Sequence, residues 1–282
     1  MKIPVFKFMS GEAYHLDSLR NNTVYFSSVE ELNDPYEGLM YYCDKGITHS
    51  QRMAALTQKL NLDHKNVKRA RKEAEAMYKK MGAKKFSQHI DSVCKSEFED
   101  FVVYHREHRF VLSLARAYTQ DDDFPAPLND MMMWGHYGNG MKGMCIEYDF
   151  EKLRTSINKL NDLKLTSKAI TYSEVNLPVV KATTLLDDMA MRNDGTSFAI
   201  QDAFCTKNSS WKYENEVRLI SPLHKLNFID EAAISRVFVS AINKKLMTDV
   251  KGILASKSHR PDLYEVATHE REYQFGFRKV EY

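Results

Sequence analysis

The sequence of 282 residues has only four cysteines, and nothing in their spacing pairs them. Cys43, Cys94, Cys145 and Cys205 lie roughly fifty to sixty residues apart, without a Cys-x-x-Cys pair. Such spacing is typical of reduced thiols and argues against a disulfide framework or a zinc ribbon. His105 and His108 also miss the histidine spacings of zinc peptidases. We therefore expect free thiols and no metal site.

Long apolar runs are missing as well. The N-terminal residues MKIPVFKFMS contain no apolar stretch of signal-peptide length. No segment reaches the roughly 18 consecutive apolar residues of a membrane-spanning helix. We therefore expect a cytoplasmic protein with no membrane partner.

The chain has little net charge, since 40 Lys and Arg face 38 Asp and Glu and the formal net charge is +2. No global electrostatic field favours nucleic acid, so any basic surface must be local. One local patch exists between Lys65 and Lys85, where nine Lys or Arg stand against Glu73 and Glu75. This pattern fits either a solvated helix face or a surface for nucleic acid or another acidic partner.

Proline is absent between Thr48 and His108, and Gly82 is the one glycine there. Apolar residues recur in this stretch at three- and four-residue intervals, which predicts two or three amphipathic helices. Short strand patterns precede and follow it. We predict an α+β fold in which residues 1–282 form a single domain and residues 48–108 an inserted helical lobe.

Residues 211–220 alternate with the period of a β-strand. The predicted strand has an apolar face and a charged face, formed respectively by Trp211, Tyr213, Val217 and Leu219 and by Lys212, Glu214, Glu216 and Arg218. Two carboxylates and a guanidinium would thus stand in a row. The row fits either the solvated face of an edge strand or part of a functional site.

A short predicted helix after Asn129 carries Trp134, His136 and Tyr137 at or near its glycine-marked end. Aromatic side chains and a histidine in this position either pack in the core or stack and orient a flat heterocycle.

Six motifs resemble, in order, the signatures of a bacterial family of unknown function that is often found in mobile and defence islands. They are Phe6-Lys7-Phe8, Tyr25-Phe26-Ser27-Ser28, Asn33-Asp34-Pro35-Tyr36-Glu37, Met133-Trp134-Gly135-His136-Tyr137, Lys142 to Tyr148, and Trp211 to Arg218. The resemblance covers residues 3 to about 240.

More distantly, the chain resembles ADP-ribosyltransferases. That resemblance implies a split mixed β core around NAD, with a basic residue on an early strand, an aromatic residue or serine on a second strand, and Glu-x-Glu on a later one. Lys7 would take the first position, where His or Arg is usual, and Tyr25 or Ser27 the second. Glu214 and Glu216 would take the third.

The same resemblance implies roles for these residues. Glu216 would hydrogen-bond a ribose hydroxyl and stabilise an oxocarbenium-like state, and Glu214 would take the proton of the acceptor. Arg218 would hold their geometry or bind phosphate, and Trp134 or Tyr137 would stack the nicotinamide. The other predicted NAD-binding residues are Phe8, Asn33, Asp34 and His136, although Asn33 and Asp34 also fit a structural Asx turn. We expect Lys7, Ser27, Asn33, Trp134, His136 and Tyr137 to converge on one cleft with Glu216.

The expected function is that of an ADP-ribosyltransferase-like toxin or effector in bacterial anti-phage defence. It would transfer ADP-ribose from NAD to a macromolecule, with nucleic acid bound through Lys65–Lys85 among the acceptors left open, and with an antitoxin as a further partner. One alternative is a metal-dependent nuclease, with Glu214, Glu216 and Asp34 or Asp149 as magnesium ligands assisted by Lys7 or Lys212. The other is a non-catalytic binding module.

Overall fold

The structure is a computed structural model that describes residues 3–117, 123–191, 195–223 and 225–282. The strands are β1 (Pro4–Met9), β2 (Thr23–Tyr25), β3 (Ser27–Ser28), β4 (Tyr41–Cys43), β5 (Phe110–Arg116), β6 (Met144–Asp149), β7 (Thr166–Ala169), β8 (Thr171–Ser173), β9 (Val179–Lys181), β10 (Thr206–Asn208), β11 (Glu216–Ser221), β12 (Leu226–Phe228), β13 (Ile234–Ser240), β14 (Asp262–Thr268) and β15 (Phe275–Val280). The α-helices are α1 (Ala13–Asn21), α2 (His49–His64), α3 (Val67–Glu107), α4 (Ala126–Asn129), α5 (Met131–His136), α6 (Phe150–Leu160), α7 (Ala182–Met191), α8 (Gly195–Ala203) and α9 (Lys244–Ala255). Short 3-10 helices lie at Val29–Glu31, Ser209–Glu214 and Glu231–Ala233.

The chain divides into two compact units. The first unit comprises Met1–Leu32, Arg109–Glu174 and Lys207–Tyr282, and the second comprises Asn33–His108 and Val175–Thr206. The predicted lobe at residues 48–108 lies inside the second unit, which begins earlier and takes in a second stretch of chain.

A large mixed sheet forms the first unit, with the strand order β15-β14-β13-β6-β1-β5-β11-β7 and with β3 also pairing with β5. β13 and β14 run parallel, whereas β1 is antiparallel to both of its neighbours. A large mixed sheet with several helices agrees with the predicted α+β class.

The two faces of this sheet bury different cores. We call the face of Val5, Lys7 and Met9 the first face, and the face of Phe6 and Phe8 the second, because side chains alternate along β1. The first-face core includes residues of β5, β6, β11, α6 and α9, namely Leu112, Leu114, Ile146, Leu219, Leu153, Ile157, Leu246 and Val250. The second-face core includes Phe6, Phe8, Ala115, Trp134, Cys145 and Phe238. Full burial of a Leu, Ile or Phe side chain contributes about 1.5–3 kcal/mol of hydrophobic stabilisation.

The predicted strand at residues 211–220 forms only in its second half. Ser209–Glu214 winds into a 3-10 helix, Asn215 adopts left-handed geometry at φ 42°, and β11 begins at Glu216. β11 pairs with β5 on one side and β7 on the other, and all its residues are buried. The interpretation as a solvated edge strand is therefore wrong.

The second unit contains α2, α3, α7, α8 and the parallel pair of β4 and β9. α3 is interrupted at Gly82, where φ is +75°. Before this break Ala70 and Ala74 are buried, while Lys68, Arg69, Arg71 and Lys72 are exposed. The basic residues between Lys65 and Lys85 thus include an exposed helical face.

Cys43, Cys94, Cys145 and Cys205 are all free, as predicted. Among the described residues, no helix has the length and apolar character needed to cross a membrane.

Candidate active site

The alternation of β11 turns Glu216 and Arg218 towards the second face. Glu216 lies opposite Ala115 in β5, as does Phe6 of β1, so all three side chains share that face. Arg218 Nε lies 2.7 Å from Glu216 Oε1, and the two side chains are only 1% and 3% exposed. A charged pair this deeply buried needs further partners to offset its desolvation.

Lys207, in β10, supplies the missing partner. Its Nζ lies 2.8 Å from Glu214 Oε2 and 2.7 Å from Glu216 Oε2, and its side chain is 4% exposed. One ammonium group therefore joins the end of the 3-10 helix to the start of β11. We call Lys207, Glu214, Glu216 and Arg218 the carboxylate cluster.

Sequence reasoning missed Lys207, which belongs to none of the six motifs. The available signal was the charge count, because two carboxylates that are buried beside a single arginine require a second cation.

The environment moves the pKa values of the two carboxyl groups in opposite directions. Burial raises the pKa of Glu214, and the charge of Lys207 offsets only part of that effect. Burial would also raise the pKa of Glu216, but the charges of Arg218 and Lys207 outweigh it and hold that pKa well below its ordinary value. Paired acids whose pKa values are pushed apart are typical of acid–base sites.

Hydroxyl and ring groups lie around the cluster. The Tyr137 hydroxyl donates to Glu214 Oε1, and the Tyr172 hydroxyl accepts a 2.9 Å hydrogen bond from the Glu216 amide. His136 Nδ1 lies 2.7 Å from the Tyr213 hydroxyl, and burial raises the pKa of Tyr172 and Tyr213 to about 12. Both tyrosines are therefore protonated at neutral pH.

The aromatic residues around the cluster are less deeply buried than the cluster itself. His136 is exposed, and Tyr137, Tyr172, Trp211 and Tyr213 are half-buried. Lys207 Nζ also lies 5.6 Å from the centre of the Trp211 ring. We call these five aromatic residues the aromatic rim.

α5 positions part of the rim. Asp130 caps this helix by accepting from the amides of Met132 and Met133, at 2.7 and 3.3 Å. The following turn packs closely on β1, because a Cβ at Gly143 would collide with the Met9 carbonyl oxygen. The cap at the start of α5 and the close packing of the turn after it therefore hold His136 in place.

Residues 133–219 match the family model DUF2971, a protein of unknown function. The matched segment runs from Met133 in α5 to Leu219 in β11, so it contains the whole carboxylate cluster and the aromatic rim. The predicted resemblance to a family of unknown function is confirmed for this segment, while the motifs at residues 6–8, 25–28 and 33–37 lie outside it. No curated protein and no solved structure matches the chain.

Trp134 lies in the DUF2971 segment but is a core residue. It is 1% exposed, its indole Nε1 donates to the Leu128 carbonyl oxygen at 2.8 Å, and its ring meets Phe8 edge-on at 5.1 Å. The predicted roles of Trp134 in stacking nicotinamide and of Phe8 in binding NAD are therefore wrong. Trp134 of α5 and Phe8 of β1 instead pack together in the second-face core.

Lys7 lies on the other side of the sheet from Glu216. It is opposite Ile146 on the first face, where its Nζ donates to the Ser113 carbonyl oxygen at 3.2 Å. Tyr25 and Ser27 line the same first-face cavity as Lys7. The predicted single cleft is therefore wrong for Lys7, because its side chain and that of Glu216 lie on opposite faces of the sheet. Tyr25 and Ser27 line the cavity of Lys7 and contact no residue of the carboxylate cluster among the contacts described above.

Asn33 and Asp34 belong to the second unit. Asp34 is buried and accepts from the Tyr36 amide at 2.9 Å, which is the Asx turn that the sequence left open.

The ligand set of the nuclease alternative is not assembled in the first unit. Lys207 holds both carboxylates of the cluster, and Asp149 caps α6 by accepting from the Lys152 amide at 3.2 Å. Within residues 3–117, 123–191, 195–223 and 225–282, no group of three or more His, Cys, Asp or Glu is placed to hold a metal ion.

Proposed function

We propose that the carboxylate cluster cleaves the nicotinamide–ribose bond of NAD and transfers the ADP-ribosyl group to an acceptor, as ADP-ribosyltransferases do. The observation that carries the proposal is the placement of Glu214 and Glu216 on one lysine with pKa values shifted in opposite directions. Such a pair provides one carboxylate that stays charged and one that exchanges a proton.

Glu216 is the charge-stabilising group in this proposal. Arg218 and Lys207 keep it ionised, so it offers a fixed negative charge to a ribose hydroxyl and to the oxocarbenium-like sugar. As the bond between the ribose anomeric carbon and the nicotinamide nitrogen breaks, its electron pair leaves with nicotinamide. The acceptor then attacks the anomeric carbon.

Glu214 is the base. The acceptor loses a proton as it forms the new bond, and the ionised Glu214 carboxylate takes that proton. A raised pKa makes Glu214 a better base near neutral pH than an ordinary glutamate. The Tyr137 hydroxyl, which donates to Glu214 Oε1, occupies the place where an acceptor hydroxyl would bind.

The aromatic rim provides the stacking surface that Trp134 cannot provide. Tyr137, Trp211 and Tyr213 are half-buried, so their rings can cover a nicotinamide ring while their edges stay in the protein. His136 holds Tyr213 through a 2.7 Å hydrogen bond. Binding of the acceptor hydroxyl to Glu214 requires Tyr137 to release that carboxylate.

The finer assignments belong to the same proposal. They are a split mixed β core of ADP-ribosyltransferase type, a cytoplasmic toxin or effector of bacterial anti-phage defence, and an antitoxin partner. The exposed basic residues of α3 favour a nucleic-acid acceptor, because phosphate neutralisation by Lys and Arg supplies most non-specific nucleic-acid affinity.

A non-catalytic binding module is the second candidate. The observation that favours it is the deep burial of the cluster, in which Glu214, Glu216 and Arg218 are 4%, 2% and 0% exposed. A buried ion network can fix one packing arrangement without any chemistry. The two candidates differ in turnover of NAD, because only the transferase releases nicotinamide.

The test is release of nicotinamide from NAD by purified protein, with and without cell extract and in the presence of a metal chelator. Glu216→Gln should reduce release by about 100-fold or more. Glu214→Gln should reduce transfer to the acceptor more than it reduces hydrolysis.

The matched control is Glu147→Gln. Glu147 forms another buried ion pair on the second face, with Arg236, so this variant also disturbs a buried pair but leaves the cluster intact. It should keep wild-type release. Absence of release from the wild-type protein with every extract would reject the transferase in favour of the binding module.

A further inference from the structure

A cavity of about 680 Å³ opens on the first face of the sheet, away from the carboxylate cluster. Its apolar wall is formed by Leu19, Val24, Leu112, Ile146 and Tyr148. The volume lies within the range of about 300–1,000 Å³ that is typical of small-molecule sites. We call it the Lys7 cavity.

Lys7 is the cationic residue that lines this cavity. Its Nζ donates to the Ser113 carbonyl oxygen, a neutral group, at 3.2 Å. Burial lowers the pKa of Lys7, and the charge of Glu216 across the sheet counters only part of that effect. Among the residues that the structure describes, no carboxylate lies within ion-pair distance of this ammonium group.

The neighbouring ionisable groups do not neutralise Lys7. Burial and the charge of Lys7 lower the pKa of His15 to about 4, so His15 is neutral at physiological pH. Asp17 is paired with Arg20. Glu31 accepts from the Tyr25 hydroxyl and the Ser28 amide, at 2.9 and 2.8 Å.

The carboxylates behind the sheet are engaged too. Lys207 and Arg218 hold Glu214 and Glu216 on the second face. When protonated, Lys7 therefore places a positive charge in a region in which Asp17, Glu214 and Glu216 already have cationic partners. A buried charge in an apolar cavity is favourable when an opposite charge joins it there.

We propose that the Lys7 cavity binds a small organic anion, with an apolar ring system against Leu112, Ile146 and Tyr148 and an acidic group on Lys7 Nζ. The site is separate from the carboxylate cluster and does not depend on the proposed transferase activity. Its ligand class is an aromatic or alicyclic acid, whether carboxylate, sulfonate or phosphate.

The test uses two fluorescent probes that differ in charge. The first is 8-anilinonaphthalene-1-sulfonate, which joins an apolar ring system to one anionic group, and the second is the uncharged N-phenyl-1-naphthylamine. Wild-type protein should bind one equivalent of the sulfonate, as measured by fluorescence titration. A wild-type protein without a saturable sulfonate site would overturn the proposal.

Lys7→Met keeps an unbranched side chain that is one heavy atom shorter and removes the charge. It should raise the Kd of the sulfonate by about tenfold or more, as expected for a lost charged hydrogen bond. The Kd of the uncharged probe should differ by less than about twofold between Lys7→Met and wild type. Lys164→Met is the control, because Lys164 is an exposed lysine of the same unit that does not line the cavity.

Equal sulfonate affinity in Lys7→Met and wild type would reject the role of Lys7. If Lys7→Met fails to fold by near-UV circular dichroism, Leu226 provides an independent pair of variants, because it lines the cavity and is 54% exposed. Leu226→Glu should weaken sulfonate binding relative to Leu226→Gln, and more so at low salt. Identical binding by this pair would also overturn the proposal.

Discussion

At the scale of single residues, Glu216 has two cationic partners and Glu214 has one. Arg218 and Lys207 both pair with Glu216, whereas Glu214 has Lys207 and the Tyr137 hydroxyl. Removing one member of a buried ion pair costs about 3–5 kcal/mol, because the remaining charge stays buried without compensation. The two glutamates should therefore differ strongly in their contribution to stability.

We predict that Glu216→Gln lowers the free energy of unfolding by roughly 3–5 kcal/mol at pH 7. Glu214→Gln should lower it by less, since its amide oxygen still accepts from Tyr137 and Lys207 keeps Glu216. Urea denaturation of the two variants measures the difference. A larger loss in Glu214→Gln than in Glu216→Gln would contradict the partner assignment.

The pH dependence of these variants should have opposite signs. The pKa of Glu216 is lower in the folded state, so its stabilisation is present above the unfolded value of about 4.3 and is lost as pH falls through the folded pKa. The pKa of Glu214 is raised, so its stabilisation is present below about 4.3 and is lost as pH rises through the folded pKa.

Between about pH 3.5 and pH 5.3, the stability lost in Glu216→Gln relative to wild type should therefore grow with pH, and it should level off above that range. For Glu214→Gln the same difference should shrink with pH. Unfolding free energies from urea titrations at several pH values measure both slopes. Parallel slopes in the two variants would show that the two pKa values are not pushed apart.

At the scale of elements, the junction between the 3-10 helix and β11 depends on Asn215. Its backbone is left-handed, at φ 42° and ψ 49°, and its side-chain oxygen accepts from Arg116 Nη2 at 2.9 Å. Its amide nitrogen donates back to the Arg116 carbonyl oxygen at 3.1 Å. This turn brings Glu214 and Glu216 to the same lysine although the chain between them is not a strand.

We predict that Asn215→Ala is less stable than Asn215→Gly by about 1 kcal/mol. Both variants lose the two side-chain bonds to Arg116 and keep the bonds of Arg116 to the carbonyl oxygen of residue 215. Of the two variants, only alanine places a Cβ in left-handed geometry, which costs about 1–2 kcal/mol. Glycine recovers less than the full difference because it is more flexible when unfolded. Urea denaturation of the pair measures the effect, and an alanine variant at least as stable as the glycine variant would refute it.

The sequence predicted the elements that depend on local patterns. The amphipathic helices within residues 48–108 and the short helix after Asn129 both appear in the structure, as α2, α3 and α5. Local patterns did not reveal the 3-10 helix, because residues 211–214 also satisfy strand alternation. There Asn208 caps the helix by accepting from the Ser210 amide at 2.9 Å.

The faces of the sheet could not be read from the sequence. Lys7 and Glu216 lie on strands that are separated by β5, and pairing with β5 puts Lys7 in register with the first face and Glu216 with the second. Because side chains alternate with a period of two, a shift of one residue in register would have put both on one face. Strand order and register are tertiary properties, and motif spacing does not contain them.

At the scale of the whole molecule, positive charge is concentrated in one stretch. Residues 65–85 carry a net charge of +7, and since the whole chain carries +2, the remaining residues carry −5. Within that stretch Glu75 pairs with Arg71 and Glu73 with His64, at 3.3 and 2.7 Å. Attraction of a polyanion should therefore be local to α3 and sensitive to salt.

We predict that reversing four exposed cations of α3 weakens binding of single-stranded RNA or DNA and weakens transfer to a nucleic-acid acceptor, while the affinity for NAD stays unchanged. The variant is Lys68→Glu, Arg69→Glu, Arg71→Glu and Lys72→Glu combined, and the control of equal charge change is Lys152→Glu, Arg154→Glu, Lys159→Glu and Lys164→Glu combined. The α3 variant changes the net charge of residues 65–85 from +7 to −1, so the slope of log affinity against log salt should fall towards zero, by about 0.7–0.9 for each lost phosphate contact. The control reverses as many charges and should retain most of the slope.

Fluorescence anisotropy of a labelled oligonucleotide at increasing salt measures both. Unchanged binding by the α3 variant at low salt, where such contacts are strongest, would leave this helix as a solvated face and favour a protein acceptor.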